Sequence, residues 1–172
     1  VEHRPELIAR FEREARLACQ LTHPNTVEVY DYGRSPHGAH YHVMEFIDGI
    51  TLADLILIED ALPQARAVAI LRQICASLSE AHELGLIHRD LTPANVMLTV
   101  RGGIHDFVKV VDFGVAKDLV TGEGEEVSAA GFAVGTPVYV APERLRDPSV
   151  STPRTDLYSL GAVAFALLSG RE

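Results

Sequence analysis

An eight-residue polar segment, His88-Arg89-Asp90-Leu91-Thr92-Pro93-Ala94-Asn95, most constrains the fold, because of what stands on either side of it. Upstream, from Pro63 to Glu83, the residues Val68, Leu71, Ile74, Cys75, Leu78 and Ala81 recur at the spacing of one helix face. Pro63 suits a first helical turn, and Gly85 can end the helix in the left-handed conformation. Downstream, Val96 to Val100 and Phe107 to Val111 are short β-type runs around Gly102-Gly103, which predicts a hairpin. Asp112-Phe113-Gly114 follows the second run, and Ala141-Pro142-Glu143 comes later. Helices and antiparallel strands in this order predict an α+β fold.

The rest of the chain supplies the remaining elements. Leu7, Ile8, Phe11, Ala15, Ala18 and Leu21 lie at helical spacing between Pro5 and Pro24, which predicts an amphipathic helix. Val27 to Tyr32 and Tyr41 to Ile47 are rich in β-branched and aromatic residues and flank a Gly33 to Gly38 turn, which predicts an antiparallel pair. Asp48-Gly49 reads as a break before a helical pattern at Leu52 to Ile58. The stretch from Lys117 to Val138 has no apolar period, and loops of that length inside a domain are usually functional. Asp156 to Leu168 is apolar nearly all round, so the helix it predicts should be central to its surroundings.

Composition narrows the function classes. The formal net charge of -9 disfavours nucleic acid and anionic membrane surfaces, both of which reward clustered Lys and Arg. No apolar run is long enough to span a bilayer, and a cytoplasmic location is expected. Cys19 and Cys75 fall inside apolar helical patterns without Cys or His at ligand spacing, so both read as reduced core thiols.

The ordered set His88-Arg89-Asp90 with Asn95, Asp112-Phe113-Gly114 and Ala141-Pro142-Glu143 resembles the protein kinase superfamily, in the style of bacterial eukaryotic-like (Hanks-type) serine/threonine kinases. Any one triplet is weak evidence; all of them, in order and in matching elements, are specific. The resemblance implies a bilobal fold covered in part, from the helix the family calls αC to the one it calls αF. Residues 1–47 would be a remnant of the N-lobe and 48–172 the C-lobe. It implies transfer of the γ-phosphoryl group of ATP to Ser or Thr of a protein substrate, with Mg²⁺. Asp90 would orient the substrate hydroxyl and accept its proton, and Asn95 and Asp112 would offer the hard oxygen ligands Mg²⁺ prefers. An isolated Asp before a loop is ordinarily a cap or an Asx-turn, and only the full constellation argues otherwise.

By the same resemblance Glu14 would pair with a strand lysine, against the plain reading of a solvated helix glutamate with Glu12 as a nearby decoy. Met44 would be the gatekeeper, backbone groups of Glu45 and Ile47 would meet the adenine edge, and Met97 would lie under the ring unless it is merely core. His88 and Phe113 would stack, and Asp156 would fix the backbone of the His-Arg-Asp turn. Arg89 would receive a phosphate on the following loop, with Ser128 the first candidate and Thr121 the alternative, while Thr136 would partner Asp90.

Departures from the family pattern are informative. The 172 residues contain no Gly-rich phosphate loop, and the only lysines, Lys109 and Lys117, come too late to be the strand lysine. This stretch alone is therefore expected to bind ATP weakly and to transfer no phosphate. Thr92 stands where Ser/Thr kinases carry a lysine, and a hydroxyl cannot neutralise phosphate charge. The arginine that pairs with Glu143 in the family is not within the chain, which would leave a buried acid unpaired. Thr92 supports an alternative, a pseudokinase acting as a scaffold or binding module, although Asp90, Asn95 and Asp112 are all present. A small-molecule phosphotransferase of the same fold ranks last, because those enzymes lack an arginine before the Asp and the Ala-Pro-Glu segment. Dimerisation, or a membrane-tethered sensor outside this stretch, is compatible with the pattern.

Overall fold

The computed structural model describes residues 13–35, 40–113 and 137–171. Helix α1, described over residues 13–18, leads into a turn and then strands β1 (Val29–Arg34) and β2 (His40–Met44). These pair antiparallel with Tyr32 opposite His42, and a bulge lies between Val29 and Asp31. The sequence predicts this pair, but β2 stops at Met44, leaving residues 45–48 as an irregular connection. Strand β3 (Gly49–Thr51) follows, then α2 (Leu52–Glu59) and α3 (Gln64–Glu83), then β4 (Val96–Arg101) and β5 (Ile104–Val110). Helices α4 (Pro142–Arg146) and α5 (Pro153–Ser169) complete the described elements.

Local chemistry sets most boundaries. Thr51 and Asp54 form a reciprocal capping box at the start of α2. Leu84 caps α3 and Gly85 takes φ +76, the left-handed exit that glycine adopts without a Cβ penalty. Gly102 and Gly103, both at positive φ, turn β4 into β5. Thr152 and Thr155 cap α5 reciprocally, so that helix begins at Pro153, before the Asp156 start expected from its apolar pattern.

Three expectations are corrected. Gly49 is not simply a break: it opens β3, which pairs with β4 to make the three-stranded sheet β3-β4-β5. A three-residue strand is too short to show a period. The face of α3 turned to the core carries Ala67, Ile70, Ile74, Ser77, Leu78 and Ala81, whereas Val68 is exposed. Cys19 and Cys75 are both exposed and free, so they are not core thiols. Small residues such as Ala67 and Ser77, both fully buried, take up little space on that face.

The core is one cluster joining α1, α2, α3, the β3-β4-β5 sheet and α5, with Leu52, Ile70, Ile74, Leu91, Val96, Val108, Val110, Val163 and Leu167 fully buried. Helix α5 buries Leu160, Val163, Ala166 and Leu167 there, but Leu157, Phe165 and Leu168 are exposed, so among the described residues it is covered on one side only. Polar ties hold the segment after α1 against α3. Glu80 accepts from the backbone N–H of Thr22 and His23 and from the Thr22 hydroxyl, and Thr26 Oγ1 meets Ser77 Oγ at 2.7 Å. Asn25 Nδ2 donates to Gln73 and to the Val108 carbonyl, while Val27 N and Val110 O, and Val110 N and Asn25 O, bond across to β5. None of the described helices is long and apolar enough to cross a membrane.

Candidate active site

The polar segment after α3 is built as a turn held by its neighbours. His88 is fully buried, and its ring lies 4.7 Å from that of Phe113. A carbonyl can only accept, so His88 Nε2–H donates to Val111 O at 3.0 Å, which leaves Nδ1 to accept from Asp90 N–H at 3.3 Å. Burial pushes the His88 imidazole below its ordinary range, in spite of the Asp156 carboxylate nearby. Asp156, at the first turn of α5 and 1% exposed, accepts from His88 N and Arg89 N, both at 2.9 Å, and from His82 Nε2 at 2.7 Å. That is the fixing role expected of Asp156, with His82 as a partner the sequence did not announce.

This clamp holds Arg89 at φ +67, and Asp112 sits at φ +56. Non-glycine residues reach the left-handed region at an energetic cost, so both backbones are held there by their surroundings. A further brace missed in the sequence is Arg144 of α4, which donates to the Arg89 carbonyl.

Asp90 and Asn95 are brought together by the 3₁₀ turn Pro93–Asn95. Asn95 Nδ2 donates to Asp90 Oδ2 at 2.9 Å and to the Asp90 carbonyl at 2.8 Å. With its amide hydrogens on Asp90, Asn95 presents its amide oxygen as the group that can face a cation. Asp112 follows β5 and is open to solvent, with its carboxylate 3.8 Å from His42 of β2. Among the described residues no three His, Cys, Asp or Glu side chains cluster as a metal cage. A hard cation held by Asp112 and Asn95 would therefore complete its shell with water or phosphate, which is the habit of Mg²⁺.

Glu14 lies on α1, buried as a functional acid would be, but the partner seen here is Arg89, whose Nη atoms approach its two carboxylate oxygens at 2.6 and 2.8 Å. Arg89 Nε also donates to Ser151 Oγ at 2.8 Å. The expected lysine partner of Glu14 is not among the described residues. Met44 ends β2, and Glu45 N–H is taken by the Glu28 carbonyl at 2.9 Å, which leaves the Glu45 carbonyl, not its N–H, for a ligand. Burial alone would raise the Glu45 carboxyl, but hydrogen bonds from Lys109 and from Glu28 N–H hold it below its ordinary value. Lys109, 5% exposed, also donates to Thr26 O at 3.1 Å, tying the connection after β2 to β5. Met97, on β4 opposite Thr51 and Lys109, is half-buried. Ile47 is half-buried beside the fully exposed Phe46. Glu143 is exposed, so the expected buried, unpaired acid does not arise. Thr121, Ser128 and Thr136 lie outside the described residues.

A family model for the protein kinase domain matches residues 2–172. The serine/threonine-protein kinase pkn3 of Myxococcus xanthus is 42% identical over 164 residues, covering 95% of this chain and 30% of that protein. PknB of Mycobacterium tuberculosis is 39% identical over 169 residues, covering 96% of this chain and 26% of that protein. The chain thus spans less than a third of the length of these relatives. Among solved structures, the PknI kinase domain of Mycobacterium tuberculosis matches with a TM-score of 0.74 at 30% identity, covering 96% of this chain and 58% of that one. Rad53 in complex with AMP-PNP matches with a TM-score of 0.73 at 28% identity, covering 94% of this chain and 38% of that one.

Proposed function

This chain belongs to the protein kinase family, as part of a mixed α and β kinase fold, and from that premise we propose that its parent protein transfers the γ-phosphoryl group of ATP to Ser or Thr of protein substrates. The observation that carries the proposal is the Asp90–Asn95 pair, seated on the His88–Phe113 stack and the Asp156 clamp, with Asp112 beyond it. A carboxylate held by an amide at 2.9 Å is a positioned base, because its rotation is fixed before the substrate hydroxyl arrives. Asp90 orients that hydroxyl and takes its proton. Asp112 and the Asn95 amide oxygen hold Mg²⁺, which when bound neutralises phosphate charge.

Residues 1–47 belong to the smaller lobe and 48–172 to the larger, with the adenine edge meeting the carbonyl of Glu45 and backbone of Ile47, between Met44 and Met97. Support for the nucleotide comes from the engagement of the Glu45 N–H by the Glu28 carbonyl, which leaves the carbonyl as the group of Glu45 to offer, and from the AMP-PNP held by Rad53. Such a phosphotransfer, fed by ATP and Mg²⁺, belongs in the cytoplasm. In the parent protein Glu14 pairs with a strand lysine that is neither Lys109 nor Lys117, and Arg89 receives phosphate on Ser128 or, failing that, Thr121, while Thr136 bears on Asp90.

The test is ATP-dependent phosphorylation of a protein substrate by the full-length protein and by its Asp90→Asn and Asp112→Ala variants. Each variant is expected to lose activity by at least about a hundredfold while retaining its circular dichroism spectrum. Near wild-type turnover in either would refute the role assigned to that residue, and a wild-type protein that binds nucleotide without turnover would favour the scaffold reading instead.

A further inference from the structure

Lys109 is a buried cation that the phosphoryl-transfer assignment does not use. It is 5% exposed on β5, and its ammonium donates to the Glu45 carboxylate and, at 3.1 Å, to the Thr26 carbonyl. The same Glu45 oxygen, Oε1, accepts from Glu28 N–H at 2.9 Å, and Glu45 N–H returns a bond to the Glu28 carbonyl, also at 2.9 Å. Glu45 is thus held by its side chain and its N–H together. Across the β4–β5 ladder the residue opposite Lys109 is Met97. One lysine therefore joins two residues assigned to the adenine slot, Glu45 at its edge and Met97 at its floor. A buried ion pair adds little net stability over apolar packing, whereas its charge-assisted bonds fix a distance. The backbone around it has other anchors, since Val27 N–H bonds to Val110 O and Val110 N–H to Asn25 O.

We infer that Lys109 is a positioning residue for the nucleotide: its ion pair with Glu45 sets where the Glu45 carbonyl stands relative to Met97. The site thereby selects a purine that carries an exocyclic amine, because a carbonyl only accepts and that amine is the group of the adenine edge that donates. The inference rests on the proposed meeting of adenine with the Glu45 carbonyl and adds the side chain that holds the carbonyl in place. Without the ammonium, Glu45 stays paired with Glu28, while Met97 stays with the β4–β5 hairpin. The slot then loses its fixed width, and adenine has to order the carbonyl at the expense of its affinity.

The experiment compares ADP with purine riboside diphosphate, the same nucleotide without the exocyclic amine, by calorimetric titration in Mg²⁺ of the full-length protein. Diphosphates avoid turnover during the titration. Wild type is set beside Lys109→Met, which keeps an unbranched stem, and Glu45→Leu, which removes the other half of the pair. The wild type is expected to prefer ADP by at least about fivefold, and each variant to bring that preference within about twofold. A fall in the folded fraction lowers both affinities alike and leaves their ratio unchanged, so the ratio reports the carbonyl and not the fold. A wild-type preference that survives in either variant, or variants that bind neither nucleotide, would overturn the inference while leaving the adenine assignment standing. Equal wild-type affinity for the two nucleotides would overturn the adenine assignment itself, and the inference with it.

Discussion

Replacing Asp156 by Ala should both destabilise the fold and misplace Asp90. The carboxylate is 1% exposed and accepts three hydrogen bonds, from the backbone of His88 and Arg89 and from the His82 ring. Each donor left without a partner costs about 1–3 kcal/mol, and the His82 ring, part-exposed, can recover water. The two backbone donors therefore set the loss at roughly 2–6 kcal/mol, a large fraction of the 5–15 kcal/mol that holds a typical domain. The local consequence is larger, because Arg89 is kept at φ +67 by this clamp and by Arg144. Released, Arg89 can fall back to negative φ, which turns Asp90 away from Asn95; a displacement of about 1 Å costs about a hundredfold in rate. The assay is guanidinium unfolding of the full-length protein followed by circular dichroism, with hydrogen exchange read at residues 88–90 under native conditions. Asp156→Asn, which keeps one acceptor oxygen, should lose about half as much. A loss below about 1 kcal/mol for Asp156→Ala, or unchanged exchange protection at His88 and Arg89, would refute the clamp.

Three further outcomes are expected. Hydrogen bonds from His23 N–H, Thr22 N–H and the Thr22 hydroxyl hold the Glu80 carboxyl below its ordinary value of 4.5, although burial opposes them. Its contribution is therefore present above about pH 4.5 and lost as pH falls through the lower folded value, so Glu80→Gln should flatten the acid side of a stability-versus-pH curve; an unchanged curve would contradict this. A Cβ at Gly49 would fall on the Leu98 carbonyl oxygen, so Gly49→Ala should displace β3 from β4 and lower the unfolding midpoint, with loss of exchange protection at residues 49–51 as the local readout. Thr92→Lys adds a cation beside Asp90 and Asn95 and should raise turnover in the full-length protein; a fall in steady-state rate would show that the Thr92 hydroxyl has a role of its own.

The sequence by itself determined what depends on neighbours in the chain. Helical period placed α3 and α5, glycine placed the α3 exit and the β4–β5 turn, and the ordered motifs singled out Asp90, Asn95, Asp112 and Asp156. These are local because a turn residue or a helical repeat acts over a few positions, and motif spacing survives whatever the rest of the chain does. Tertiary structure decided the partners. Helix α3 buries the face with Ala67 and Ser77 and exposes Val68, and the period tolerates either rotation. Gly49 became a strand only because β4 offers its edge, and Cys19 and Cys75, which the helical period allowed in the core, lie at the surface. The Glu14–Arg89 pair spans 75 positions, the His82–Asp156 bond 74 and the Lys109–Glu45 pair 64. A charge pair is set by distance and burial in space, and the chain order of its members carries no record of either.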